Sequence, residues 1–162
     1  MRLLKHLFAP SARRLFPTDT LHRIADAIAA SERRHSGEIC FAVEASLAAA
    51  AVWAGRQARD RATDVFTQLR VWDTRANNGV LLYLLLADHR IEIVADRGFD
   101  GLVSAEQWRG VCVLIEERLK AGEPEAAVLR GVEALSELLA EHFPRDAGGG
   151  DRNELPDLPH LL

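Results

Sequence analysis

The chain has two cysteines, one methionine, one tyrosine and only 6% aromatic residues in 162. Cys40 and Cys112 lie far apart in apolar stretches. That rules out a disulfide scaffold and reads as two reduced, buried thiols. Histidines stand at 6, 22, 35, 89, 142 and 160, with no H-x-x-x-H pair and no cysteine at ligand spacing, so a zinc site has no support. No apolar run exceeds the eight residues of 80–87, against the ~20 needed to span a bilayer. Lys5, His6 and Pro10 interrupt the one segment that resembles a signal-peptide core, which points to a cytoplasmic protein. Gly98-Phe99-Asp100-Gly101 has neither the G-x-G-x-x-G spacing nor the G-K-[ST] ending of phosphate-cradling loops. Ser36 and Ser46 lack the surroundings of a nucleophile elbow.

Acid is missing from residues 1–18, which hold Arg2, Lys5, Arg13 and Arg14. Since the whole chain carries −4, the remainder is strongly acidic, which disfavours a nucleic-acid partner. In the basic segment Leu3, Leu4, Leu7, Phe8, Leu15 and Phe16 alternate with the cations. Two readings follow: a leg lying on an anionic membrane face, or a start segment packed on the body.

What remains is ordinary globular sequence, 48% hydrophobic and 27% charged, enough for one domain with a sizeable core. Pro17-Thr18-Asp19 opens a helix with Leu21, Ile24, Ala25 and Ile28 on one stripe, ending near Arg34. Residues 38–44 are apolar on both faces and predict an interior strand. Ala-rich sequence and a helix with the stripe Ala58, Ala62, Val65, Phe66 and Leu69 come next. The run 80–87 reads as the most buried strand, and 91–95 as its hairpin partner after the turn Asp88-His89-Arg90. Ser104 and Gln107 make a capping box, Gly122 stops that helix and Pro124 opens another. The expected fold is α/β, a three-layer α/β/α sandwich around a small mixed sheet with a central β-hairpin. Its parts are a basic amphipathic segment at 1–18, the domain at 19–144 and a flexible Gly/Pro-containing tail at 145–162. The Pro-flanked leucines of that tail suit docking as an extended peptide, on the body or on a partner.

A strand–helix–strand unit is almost always a right-handed crossover between parallel strands. The starts of 38–44 and 80–87 then share an edge with the end of 91–95, and three loops converge there. They hold Glu32, His35, Glu38, Asp73, Thr74, Arg75, Asn77, Asn78, Asp96, Arg97 and Asp100. Oxygen donors at this density suit a hard cation, and the candidate ligands are Asp73, Asp96, Asp100 and Glu38, with calcium or magnesium as the ion. Arg75, Asn78 and Arg97 are candidates for contact with a substrate or partner. The competing reading is that Asp, Asn, Thr and Gly sit here for turn geometry alone, Asn78-Gly79 supplying a positive φ before the buried strand.

Several separated segments resemble the TPM domain family in the same order. They are Phe66 to Thr74, Asn78 to Tyr83, Ile91 to Phe99, Trp108, the Gly122 to Gly131 helix start, His142-Phe143-Pro144 and Asn153-Glu154-Leu155-Pro156-Asp157. The short bacterial members that carry the domain alone are the most similar. The resemblance implies an α/β/α sandwich. It brings three family activities: acid phosphatase in plant relatives, calcium binding in some members, and accessory domain beside membrane proteins, LemA-type proteins among them. Longer members carry an acid before the Asn-Gly pair and a Thr-Asp pair opening the next helix, whereas this chain has Asn77 and Ser104-Ala105. The leading expectation is a non-catalytic accessory or interaction module at the inner membrane face with a membrane-protein partner. The alternative is a divalent-metal-dependent phosphatase in which Asp73, Asp96 and Asp100 hold the ion and Arg75 or Arg97 pairs with the substrate anion.

Overall fold

A computed structural model of the chain describes residues 1–145 and 153–162. Residues 146–152 of the expected tail lie outside the described residues. The elements run α1 (Arg2–Leu7), α2 (Ala12–Leu15), α3 (Thr18–Ser31), β1 (Glu38–Glu44), α4 (Ala49–Trp53), α5 (Ala58–Gln68), β2 (Gly79–Leu85), β3 (Arg90–Ala95), a 3-10 turn (Arg97–Phe99), α6 (Ala105–Lys120), α7 (Pro124–His142) and β4 (His160–Leu161). The sheet order is β3-β2-β1-β4. β1 and β2 are parallel from Glu38↔Gly79 to Glu44↔Leu85, as the crossover rule requires. β2 and β3 are antiparallel from Val80↔Ala95 to Leu85↔Arg90.

Period-two alternation sends successive side chains to opposite faces and so builds two cores from one sheet. Ile39, Phe41, Val43, Val80, Leu82, Leu84, Ile91 and Ile93 face one core with Ile24 and Ile28 of α3, Ile115 of α6 and Leu135 and Leu139 of α7. Cys40, Ala42, Leu81, Tyr83, Leu85 and Val94 face the other, against Val52 of α4 and Ala58, Ala62 and Val65 of α5. Helices therefore cover both sides, and the α/β/α sandwich holds. Both cysteines are buried free thiols, and burial pushes the Cys40 thiol up to about 12.

Local signals explain the helix ends. Ser104 Oγ accepts the Gln107 N–H at 3.2 Å while Gln107 Oε1 accepts the Ser104 N–H at 2.9 Å, so the capping box closes as the spacing predicts. Gly122 takes φ +78° after α6, and Pro124 sits in the first turn of α7.

Gly79 departs from expectation. The positive φ in its loop belongs to Asn77, at 54°, and not to Gly79. A Cβ on Gly79 would lie 2.0 Å from the Val71 carbonyl oxygen, so this glycine is needed for close approach of two backbones.

The basic leg packs on the body through one of its faces. Phe16 is fully buried edge-on to Phe41 with ring centroids 5.7 Å apart, and Ala12 joins the same core. His6 is buried between the backbone of Leu47 and the carboxylate of Asp88, which also takes a two-point contact from Arg2. The other face, Leu4, Leu7 and Phe8, stands in solvent.

Candidate functional site

Parallel β1 and β2 and antiparallel β3 bring the start of β1, the start of β2 and the end of β3 to one edge, which sets Glu38 opposite Gly79 and Val80 opposite Ala95. Three loops meet there. Ser36 accepts from Asn78 Nδ2 at 2.8 Å, the Glu38 N–H reaches Asn78 O at 3.2 Å, the Asp96 N–H reaches Gly79 O at 2.9 Å, and the Gly98 N–H reaches Asn77 O at 2.9 Å. Gly98 permits the last contact, because a Cβ on it would meet Asn77 O at 2.4 Å.

The side chains at this edge are engaged mostly with the protein itself. Asp73 is exposed and pairs with Arg70 at 2.5 Å. Asp96 is buried, and its Oδ1 accepts the Arg97 N–H at 2.8 Å to start the 3-10 turn. Asp100 is exposed at the end of that turn. Glu38 is buried and its two oxygens accept the N–H groups of Glu154 and Leu155, each at 3.2 Å. The Arg75 N–H donates to Glu154 at 3.0 Å, and Arg97 Nε donates to Asn77 Oδ1 at 3.0 Å. Asn78 is buried, receives no bond on Oδ1, and has its N–H held by Thr74 Oγ1 at 3.0 Å. Among the described residues no group of three or more His, Cys, Asp or Glu side chains gathers at metal-holding distance. Among the described residues at this edge, Asp96 Oδ2 and Asn78 Oδ1 are side-chain oxygens buried without a hydrogen-bond partner.

Burial shapes the protonation of this edge. Glu32 is pushed up to about 8, mainly by burial and further by the Glu38 charge and by Asp157, against the Ile39 N–H that its carboxyl accepts at 3.1 Å. His35 is pulled down to about 4 by burial, with Arg34 and Arg145 adding to the effect, while its Nδ1 lies 2.9 Å from the Gly37 carbonyl. Both groups are therefore neutral near pH 7.

Residues 153–162 are the part of the edge that the candidate list from sequence does not contain. They lie along β1, with Ala42↔His160 and Val43↔Leu161 paired in parallel and Leu155 buried in the second core. Their signal was the pair of acids Glu154 and Asp157 flanking leucines in a proline-interrupted segment, a pattern that fits an extended chain and says nothing of where it lands.

The family model for the TPM domain matches residues 12–138. The BA42 protein of the psychrophilic bacterium Bizionia argentinensis, whose structure was determined by NMR, is similar in fold, with a TM-score of 0.79 and 29% identity over 91% of this chain and 95% of that one. No curated protein matches the chain. A single sheet with helices on both faces, three loops joined at one edge, and a family match across most of the length lead to one conclusion: this chain belongs to the TPM domain family.

Proposed function

We propose that the protein is a non-catalytic accessory module acting at the inner face of a membrane, beside a membrane-protein partner of the LemA type that the family resemblance brings. The observation that supports it is the divided leg. Its inner face anchors to the body through His6, Ala12 and Phe16, while Leu4, Leu7 and Phe8 point to solvent, Phe8 at 81% exposure. Helix α4, packed against α1, ends in Trp53, which is 85% exposed. Lys5, Arg13 and Arg14 are exposed on the same leg, and Arg2 is engaged with Asp88. Each cation near an anionic leaflet contributes about 1 kcal/mol, so three of them with a few inserted apolar side chains give weak, reversible attachment. No helix of the described residues is long and apolar enough to cross a membrane. Co-sedimentation of the full chain with phosphatidylserine-containing vesicles at two salt concentrations tests the reading. Binding should fade with salt and drop in a Leu7→Ser/Phe8→Ser variant, and protein remaining in the supernatant at low salt refutes it.

A second reading, divalent-metal-dependent phosphatase, draws support from the two unpartnered oxygens of Asp96 and Asn78. Calcium or magnesium would be the ion. The remaining carboxylates of the edge face Arg70, solvent or the backbone of the tail, which favours the first reading. Calcium titration followed by NMR, with phosphomonoester hydrolysis assayed alongside, separates the two. Turnover that disappears in Asp96→Asn would favour the enzyme.

A further inference from the structure

β1 is an interior strand because of the segment that lies beside it. Residues 38–43 are buried throughout, and the neighbour of β1 on the side away from β2 is β4, only two residues long. A strand buried on both faces needs its edge N–H and C=O groups satisfied, and an open apolar edge in water invites pairing with another chain. Here residues 160–162 fill the role at Ala42 and Val43, while the Glu32 carboxyl takes the Ile39 N–H. Residues 153–162 form neither helix nor hairpin among themselves, and the body holds them in the manner of a bound peptide. Glu38 accepts two successive N–H groups of the segment, the Arg75 N–H donates to the Glu154 carboxylate, and the Leu162 N–H donates to Val43 O at 3.0 Å. Leu155 and Pro159 are buried, whereas Leu158 between them is half-exposed.

Glu38 is the informative residue. A carboxylate buried at the start of an interior strand is costly unless it is hydrogen-bonded, and a pair of adjacent N–H groups from an extended backbone matches its two oxygens. Main-chain bonds that supply affinity, with alternate side chains in sockets that supply selectivity, are the marks of peptide recognition by strand addition. The prolines at 156 and 159 hold the segment extended, which lowers the entropy lost on docking.

We propose that the groove along β1, from Glu38 to Val43, is a recognition site for an extended acid–Leu–Pro segment of a partner protein, and that residues 153–162 are its resident occupant. The occupant's own sequence defines the chemistry: an acid whose carboxylate accepts the Arg75 N–H, a leucine buried in the second core, a proline, and a second apolar residue at the position of Leu161. Because the resident segment is part of the same chain, a partner must bind more tightly than the isolated segment does to displace it. The inference rests on the interaction-module reading, and its test is independent of the vesicle experiment.

The test uses the full chain with a specific protease site substituted into residues 147–151, folded first and cut afterwards, and a fluorescent synthetic peptide of residues 153–162. Expected are a cut protein that keeps its cooperative melt, saturable uptake of the labelled peptide, and competition by the unlabelled peptide. A Leu155→Ala peptide should compete about tenfold less well or worse, and Glu38→Gln in the protein should weaken uptake. Loss of folding on cutting would make the segment an integral strand and overturn the proposal. So would a folded cut protein that takes up no peptide, or equal competition by the Leu155→Ala peptide. Dimerisation of the uncut chain that blocks uptake would place a second copy in the groove and overturn the partner assignment.

Discussion

His6 Nε2 stands 3.0 Å from Asp88 Oδ1, while its Nδ1 accepts the Leu47 N–H at 3.0 Å. An accepting Nδ1 places the ring proton on Nε2, so the imidazole donates to Asp88. Asp88 also takes both a 3.1 Å and a 2.7 Å contact from Arg2, so one carboxylate ties the leg to the turn after β2, and His6 links both to Leu47.

Replacing Asp88 by Ala should therefore destabilise the fold by about 1–3 kcal/mol, since it leaves buried His6 without its acceptor. Burial alone would raise the Asp88 carboxyl, but Arg2 and His6 outweigh it and hold the group below its ordinary value of 3.8. The stabilisation from this group is present above that value and is lost as pH falls through the lowered one. Urea melts of the wild type from pH 5 to 2 should show this acid limb, and it should be shallower in the variant, where His35 and Glu125 still contribute.

Phe16→Ala and Phe8→Ala separate the two faces of the leg. The first empties a fully buried site against Phe41 and should cost about 3–5 kcal/mol. The second removes an exposed ring and should change stability by less than about 0.5 kcal/mol while reducing vesicle binding. Similar melting temperatures for the two variants would contradict the docked leg.

Gly79→Ala should lose more than about 4 kcal/mol, because its Cβ would press on a backbone oxygen that no side-chain rotation can move. Gly110, in the interior of α6 with open space at its Cβ, is the matching control. Gly110→Ala should stabilise by up to about 1 kcal/mol, read from chemical denaturation of both proteins.

Glu32 and His35 give the pH profile its shape. The folded Glu32 carboxyl keeps its proton up to about 8 while the unfolded one loses it near 4.5, so stability falls as pH rises between those values. The folded His35 ring stays neutral down to about 4 while the unfolded one protonates below 6.5, so its contribution rises over that window. The two oppose each other between 4.5 and 6.5, and only Glu32 acts from 6.5 to 8. Stability should decline there by up to about 1.4 kcal/mol per pH unit, and Glu32→Gln should flatten the decline. A decline that survives in Glu32→Gln assigns it to another group.

Strand direction, both helical faces and the Ser104 cap were legible because each rests on local periodicity or on the handedness of a crossover, rules that act within a few dozen residues. The Glu38 carboxylate was legible as a polar residue at the right edge, but its engagement by the backbone of Glu154 and Leu155 was not. N–H groups 116 and 117 positions away leave no periodic trace. Gly79 was misread for a related reason. The Val71 carbonyl that excludes a Cβ is a tertiary contact, whereas the Asn-Gly pair carries a turn signal of its own.

Strand β1 also has a history during synthesis. The ribosome delivers Glu38 more than a hundred residues before Leu155, the residue whose N–H its carboxylate will hold. At the usual rates of elongation, the edge beside β1 waits on the order of ten seconds for its cover. For that interval the nascent chain carries an uncovered, hydrophobic strand margin at Ala42 and Val43, of the kind that neighbouring nascent chains on a polysome can pair with. Emergence of residues 153–162 from the exit tunnel ends the exposure, so this segment sets when the newborn protein becomes safe from self-association.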